Sequence, residues 1–184
     1  MHYPLNSRQK THQTMCGNIS NVKISVIFRS SIPLNEFKNI IQRCSVSINK
    51  NIITIRGDYT IIIFYKKPSK YHVNVTKIKS LSEISIAVKY IRDKFFDSTN
   101  FELISQRIDN ITSTFNLCKI LNLYEIATKT EYAKFNPERF PGVYIKIPLI
   151  AGVGIVFSTG RVNVLGCSSE SDILELWTKI KAII

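Results

Sequence analysis

The chain has 184 residues, a formal charge of +12 and 45% hydrophobic residues, enough apolar material for one large domain or two small ones. Its longest apolar runs, such as "TIIIFY" at 60–65, are too short for a membrane-spanning helix. Its four cysteines (Cys16, Cys44, Cys118, Cys167) and three histidines (His2, His12, His72) are scattered without ligand spacing, so reduced thiols and no metal or cofactor are expected.

In chain order, the opening "MHYPLNSRQKTHQTMCGN" has no apolar core of signal-peptide length, and residues 1–17 read as a disordered arm. Residues 1–97 hold 16 basic against 5 acidic side chains, whereas residues 98–184 hold 9 against 8. Such an imbalance points the first half at a polyanion, nucleic acid before a membrane surface. "VKISVIF" (22–28) reads as a strand and Leu34–Ile41 as a short helix. "IITIR" (52–56), "TIIIFY" (60–65) and "YHVNVTKI" (71–78) follow as alternating strands. A helix after "SLSE" (80–83) carries the apolar stripe Ile84, Ala87, Val88, Ile91 and Phe95.

The same order then recurs. A shift of 89 residues places Asn21 on Asn110, Leu34 on Leu123, Val73-Asn74-Val75 on Val162-Asn163-Val164, and Ser80 and Ser82 on Ser169 and Ser171. The second copy reads "ITSTFNL" (111–117), a short helix at Leu123–Ala127, and the strands "VYIKI" (143–147), "GVGIVF" (152–157) and "RVNVLGC" (161–167). Ser-Thr-Gly at 158–160 makes a tight turn where the first copy has the longer basic "KKPSK". A helix capped by "SESD" (169–172) closes the copy, with the stripe Ile173, Leu176, Trp177 and Ile180. The domains are therefore the arm 1–17, a first repeat 18–97 and a second repeat 98–184. The two halves join their sheets, with the long helices on one face and the other face uncovered.

Period-2 alternation assigns residues to that uncovered face. Ile53, Ile55, Val143, Ile145 and Ile147 pack inward, which turns Thr54, Arg56, Tyr144 and Lys146 outward, and Val153, Ile155 and Phe157 share the outward parity. Phe140 stands on the turn "RFPG", where a large ring either folds onto a core or is received by something outside the chain.

"DNITSTFNLCKILNL" (109–123), "KFNPERFPG" (134–142) and "GIVFSTGRVNVLG" (154–166) resemble the repeat of the TATA-box-binding protein family. The likeness is strong over 107–184 and rests mainly on the internal repeat over 18–97. It implies an α+β saddle: two pseudo-symmetric repeats forming one curved antiparallel sheet, with helices on the convex face and the concave face in the DNA minor groove. Phe140 and Phe157 then match a pair of wedges between base steps, and Phe64 one wedge of the other pair. Asn21 and Asn110 match asparagines that read base edges near the pseudo-dyad. Thr76 matches a residue facing central bases, and Arg56, Lys146 and Arg161 match phosphate contacts. Glu138 matches part of a docking site for transcription factor IIB, with Arg139 in place of an apolar contact and Asn136 in place of an acid.

The pattern also breaks. "SVSINKNI" (45–52) offers only Ile48 or Lys50 where the partner of Phe64 should stand. Lys23, Thr112, Asn74 and Asn163 make the floor polar where apolar residues are expected, and Leu165 replaces a threonine. These departures predict relaxed or altered base preference and suggest a divergent paralogue, or a viral or parasite protein. The expected function is non-enzymatic: minor-groove binding and bending of A/T-rich promoter DNA that recruits IIB-like and IIA-like factors and RNA polymerase. It would act in the nucleus, or in a cytoplasmic viral factory if viral. The alternative is a protein-interaction module of the initiation machinery that has lost strong DNA binding. No H-E-x-x-H, P-loop or G-x-S-x-G motif supports an enzyme.

Overall fold

The structure, a computed structural model, describes residues 17–41, 46–66 and 69–184. The predicted arm, apart from Gly17, and the middle of the "KKPSK" turn lie outside the described residues. The first half runs β1 (Asn18–Arg29), α1 (Leu34–Ile41), β2 (Val46–Asn49), β3 (Ile52–Arg56), β4 (Thr60–Lys66), β5 (Lys70–Ile78) and α2 (Glu83–Phe95). The second half runs β6 (Glu102–Asn116), α3 (Leu123–Thr128), β7 (Ala133–Lys134), β8 (Gly142–Ile145), β9 (Val153–Phe157), β10 (Arg161–Cys167) and α4 (Glu170–Ile183).

All ten of these strands form one curved antiparallel sheet in the order β2-β3-β4-β5-β1-β6-β10-β9-β8-β7. β1 and β6 meet at its centre, where Val22 pairs with Ile111, the residue 89 positions later. A pseudo-twofold axis therefore passes between these two residues. The predicted repeat is a real symmetry of the sheet.

The buried face is built by alternation. Val22, Ile24, Val26 and Phe28 on β1 are fully buried, as are Val73 and Val75 on β5 and Val162 and Val164 on β10. The helices cover this face with the predicted stripes: Ile84, Ala87, Val88, Ile91 and Phe95 on α2, and Ile173, Leu176, Trp177 and Ile180 on α4. In the first half, Phe28 stacks on Phe96 at 4.3 Å and Phe37 packs on Tyr71. In the second, Phe115 stacks on Trp177 at 4.2 Å. α4 begins with the full predicted capping box, because Ser169 Oγ accepts from the Asp172 N–H and Asp172 reaches back to the Ser169 N–H. The box before α2 is only half made. Ser80 Oγ accepts from the Glu83 N–H, while the Glu83 carboxylate turns to the Lys79 N–H and the Tyr59 hydroxyl.

Candidate nucleic-acid interface

The sheet face opposite the helices carries the second parity of every strand, and no helix among the described residues covers it. β1 contributes Asn21, Lys23 and Ser25, and β5 contributes His72, Asn74 and Thr76. β6 contributes Asn110, Thr112 and Thr114, β9 contributes Val153, Ile155 and Phe157, and β10 contributes Arg161, Asn163 and Leu165. The outward predictions for Thr54, Arg56 and Tyr144 agree with the burial of their neighbours Ile53, Ile55, Val143 and Ile145.

At the second end, the rings of Phe140 and Phe157 lie 5.9 Å apart, and Phe140 also rests on Tyr144 at 4.9 Å. Both phenylalanines are half-buried. Phe140 sits in the loop 135–141, which Asn136 organises: its carbonyl oxygen accepts from the N–H groups of Arg139 (3.1 Å) and Phe140 (3.0 Å), and its side chain from Glu138 N–H (3.1 Å). Gly142 makes room for the pair. A Cβ there would come within 2.9 Å of both Ile155 and Phe140 and 3.3 Å of Phe157. Ile155, read in sequence as an outward residue, is only 7% exposed because it forms the bed beneath these rings.

The first end is built differently. Ile63 pairs with Val73 as Val156 pairs with Val162, which makes Phe64 the counterpart of Phe157. Opposite Phe64 stands Ile52, where Gly142 stands opposite Phe157. Neither residue considered from the sequence fills the missing wedge. Ile48 pairs with core-facing Ile53, and Lys50 lies in the two-residue Lys50-Asn51 turn with φ 49°. The loop that carries Phe140 has no equivalent here, so the absence is one of backbone as well as of an aromatic. Ile52, 41% exposed, is the apolar neighbour that Phe64 does have. Its signal was its outward parity in "IITIR".

Around the dyad the groups are polar and repeat across it. Asn21 Oδ1 accepts from the Lys77 N–H at 2.8 Å, and Asn110 Oδ1 accepts from the Gly166 N–H at 2.7 Å. Both backbone donors fix the amide orientation; Asn110 Nδ2 also donates to Thr112 Oγ1 at 3.3 Å, which leaves the Asn21 NH2 group and one N–H of Asn110 as the donors available outside. Ser25 Oγ lies 2.9 Å from Asn74 Oδ1, and Thr114 Oγ1 lies 3.1 Å from Asn163 Oδ1, again 89 residues apart. Thr76 contacts the Thr60 carbonyl only at 3.5 Å.

One side chain breaks the symmetry. Each central strand has a bulge, at Ser20 in β1 and, 89 residues later, at Asp109 in β6, and the second turns a carboxylate onto the uncovered face. Its carboxylate accepts from Ser25 Oγ, pairs with Lys23 Nζ at 3.4 Å and accepts from Arg107 Nε at 2.8 Å. Burial alone would raise its pKa. The hydrogen bonds from Ser25, Lys23 and Arg107 and the Lys23 charge outweigh burial and hold it below the usual carboxylate range.

The cationic residues differ in availability. Arg56 and Arg161 are exposed at strand ends. Lys146 donates to the carbonyls of Ile150 (3.0 Å) and Gly152 (2.6 Å), so much of its hydrogen-bonding capacity closes its own turn. His72 stands in the register that Arg161 occupies in the other half. Burial, with Lys66 and Lys70 nearby, lowers its pKa and disfavours the charged imidazolium. Glu138 and Arg139 are exposed on the Phe140 loop, on the flank of the saddle.

Comparison with known proteins places this geometry. The family model "Transcription factor TFIID (or TATA-binding protein, TBP)" matches residues 105–184. The TATA-box-binding protein of Methanocaldococcus jannaschii is 32% identical over 111 residues, 59% of this chain and 60% of that protein. The TATA-box-binding protein of Thermoplasma volcanium is 30% identical over 59% of this chain and 61% of its own length. That of Drosophila melanogaster is 38% identical over 69 residues, which is 38% of this chain and 20% of that one. These matches span less than two thirds of the relatives' length. The solved structure "Methanococcus jannaschii TBP" superposes with a TM-score of 0.76 at 27% identity, over 90% of this chain and 96% of that one.

Proposed function

We propose that this chain, a divergent member of the TATA-box-binding protein family, binds promoter DNA through its concave sheet and bends it to nucleate transcription initiation. The observation that carries this reading is the ring pair Phe140–Phe157, held half-exposed at one end of an uncovered sheet by Gly142 and the Asn136-organised loop. Apolar rings of this kind enter unstacked base steps, at a cost of a few kcal/mol per step that the added contact surface offsets. The NH2 groups of Asn21 and Asn110 donate to the purine N3 and pyrimidine O2 acceptors near the dyad. Arg56 and Arg161 hold phosphates, with a smaller share from Lys146. The bend is one-sided, since the first end has Phe64 and Ile52 but no second aromatic. Affinity there leans on the basic first half and falls with salt.

The loop bearing Glu138 and Arg139 docks a IIB-like factor, and an exposed flank remains for a IIA-like factor and the polymerase. Its place of action is the DNA of a nucleus. The viral factory considered from the sequence has no support among the relatives named above.

A second reading is favoured by one observation, the Asp109 carboxylate on the concave face, which repels phosphate. On that reading the saddle contacts other initiation factors and binds DNA weakly.

The test uses a short duplex with a central TATA element, labelled at both ends, and a scrambled control, at two salt concentrations. TATA-selective energy transfer that Phe140→Ala and Phe157→Ala both abolish is the expected result. Salt-sensitive binding with no change in transfer, indifferent to both variants, would favour the second reading.

A further inference from the structure

Asp109 has no acidic counterpart across the dyad. The residue 89 positions earlier is Ser20, whose hydroxyl donates to the Thr112 carbonyl at 3.2 Å. The carboxylate therefore sits on one side of the axis only, leaning over β1 towards Ser25 and Lys23. A carboxylate offers about four acceptor positions. Ser25, Lys23 and Arg107 occupy three of them. Its side chain is 15% exposed, so the carboxylate keeps some access to a ligand on this face. The pair of cations beside it leaves the trio with a net positive charge, which offsets repulsion from the phosphates.

In the minor groove an A·T pair shows only acceptors, whereas a G·C pair adds the guanine N2 amine, a donor. A fixed acceptor facing A·T meets like partial charge and stays unsatisfied. Facing G·C it gains a charge-assisted hydrogen bond. Asn74 strengthens this difference. The single proton of Ser25 is drawn to the charged Asp109, so the Asn74 amide next to it keeps acceptor capacity for a base.

Resting on the DNA-binding reading above, we propose that Asp109 is a specificity-determining residue that selects a guanine at one off-centre position of the target. The preferred site is then an A/T-rich element interrupted by a G·C pair on one side of its centre. Because the carboxylate is one-sided, this guanine also fixes the direction in which the pseudo-symmetric saddle sits on the duplex.

Inosine tests the idea, since it keeps guanine's pairing and lacks only the N2 amine. The full chain is titrated by fluorescence anisotropy against A/T-rich duplexes in which one pair, moved through the four central positions, is A·T, G·C or I·C. Wild type is expected to bind G·C about tenfold tighter than I·C or A·T at one position. Asp109→Ala should bring that ratio to one. The ratio is the readout, because freeing Lys23 and Arg107 strengthens every duplex alike. Equal binding of G·C and I·C at all four positions by wild type overturns the proposal and needs no variant. If bending that depends on Phe140 persists alongside that equality, the promoter-binding reading stands and only the guanine assignment falls. If no duplex binds, both fall.

Discussion

Lys77 and Gly166 stand 89 residues apart, both with left-handed backbone (φ 71° and 79°), and each donates its N–H to an asparagine placed 56 residues earlier. The two bonds close the central strands on either side of the dyad. Asn21 and Asn110 are therefore structural acceptors that also carry donors on the uncovered face, one N–H of Asn110 being shared with Thr112 Oγ1. That double role explains why an amide suits the position: a hydroxyl is too short to do both jobs, and a carboxylate has no donor.

Replacing Asn110 with Asp separates the two roles. Asn110→Asp keeps an acceptor for the Gly166 N–H and removes the NH2 group. Its melting temperature should stay close to wild type, while affinity for an A/T-rich duplex falls about tenfold or more. Asn110→Ala should lose both, at a stability cost of about 1–3 kcal/mol. Thermal melts and anisotropy on the same samples decide it. Undiminished affinity of the Asp variant would show that the amide does not read DNA.

Gly142 controls the Phe140–Phe157 ring pair without being part of it. Gly142→Ala places a Cβ within 2.9 Å of Phe140 and Ile155, so the rings must move apart. A cost of about 1–3 kcal/mol is expected from overpacking, small enough for the chain to stay folded. Energy transfer across an end-labelled duplex should drop as far as it does for Phe140→Ala. Full bending by Gly142→Ala would mean that the ring pair is not the wedge.

Asp172 gives a pH signature of the repeat's closing helix. The N–H of Ser168, then the Ser169 side chain, hold its carboxylate below the ordinary value against a smaller desolvation effect. A depressed pKa contributes stability that is complete above the unfolded value, about 3.9, and is lost as pH falls through the folded one. The difference in melting temperature between wild type and Asp172→Asn should thus be widest at neutral pH and close below about pH 4. A gap that does not change with pH would assign the effect to geometry and not to charge.

Much of this molecule was legible in the residues alone. The 89-residue repeat, the stripes of α2 and α4, and the outward parity of Thr54, Tyr144 and Phe157 all follow from spacing. A strand alternates every two residues and a helix every three or four, whatever lies around it. The placement of Phe140 on a turn was legible too, from the local "RFPG" sequence.

Other features depended on how distant segments meet. Whether Asp109 faces the floor or the core turns on a bulge in β6, and its partner Ser25 is 84 residues away. That Ile52 joins Phe64, and that no loop like that of Phe140 separates β2 from β3, depends on these strands closing through Lys50-Asn51. Lys146 reads as a free cation until its turn folds back and presents two carbonyls. Sequence determined which residue types share a face, since that is set by local periodicity. The tertiary structure decided which of them touch, because register, bulges and turn closure are settled only when whole strands pair and every polar group competes for its partners.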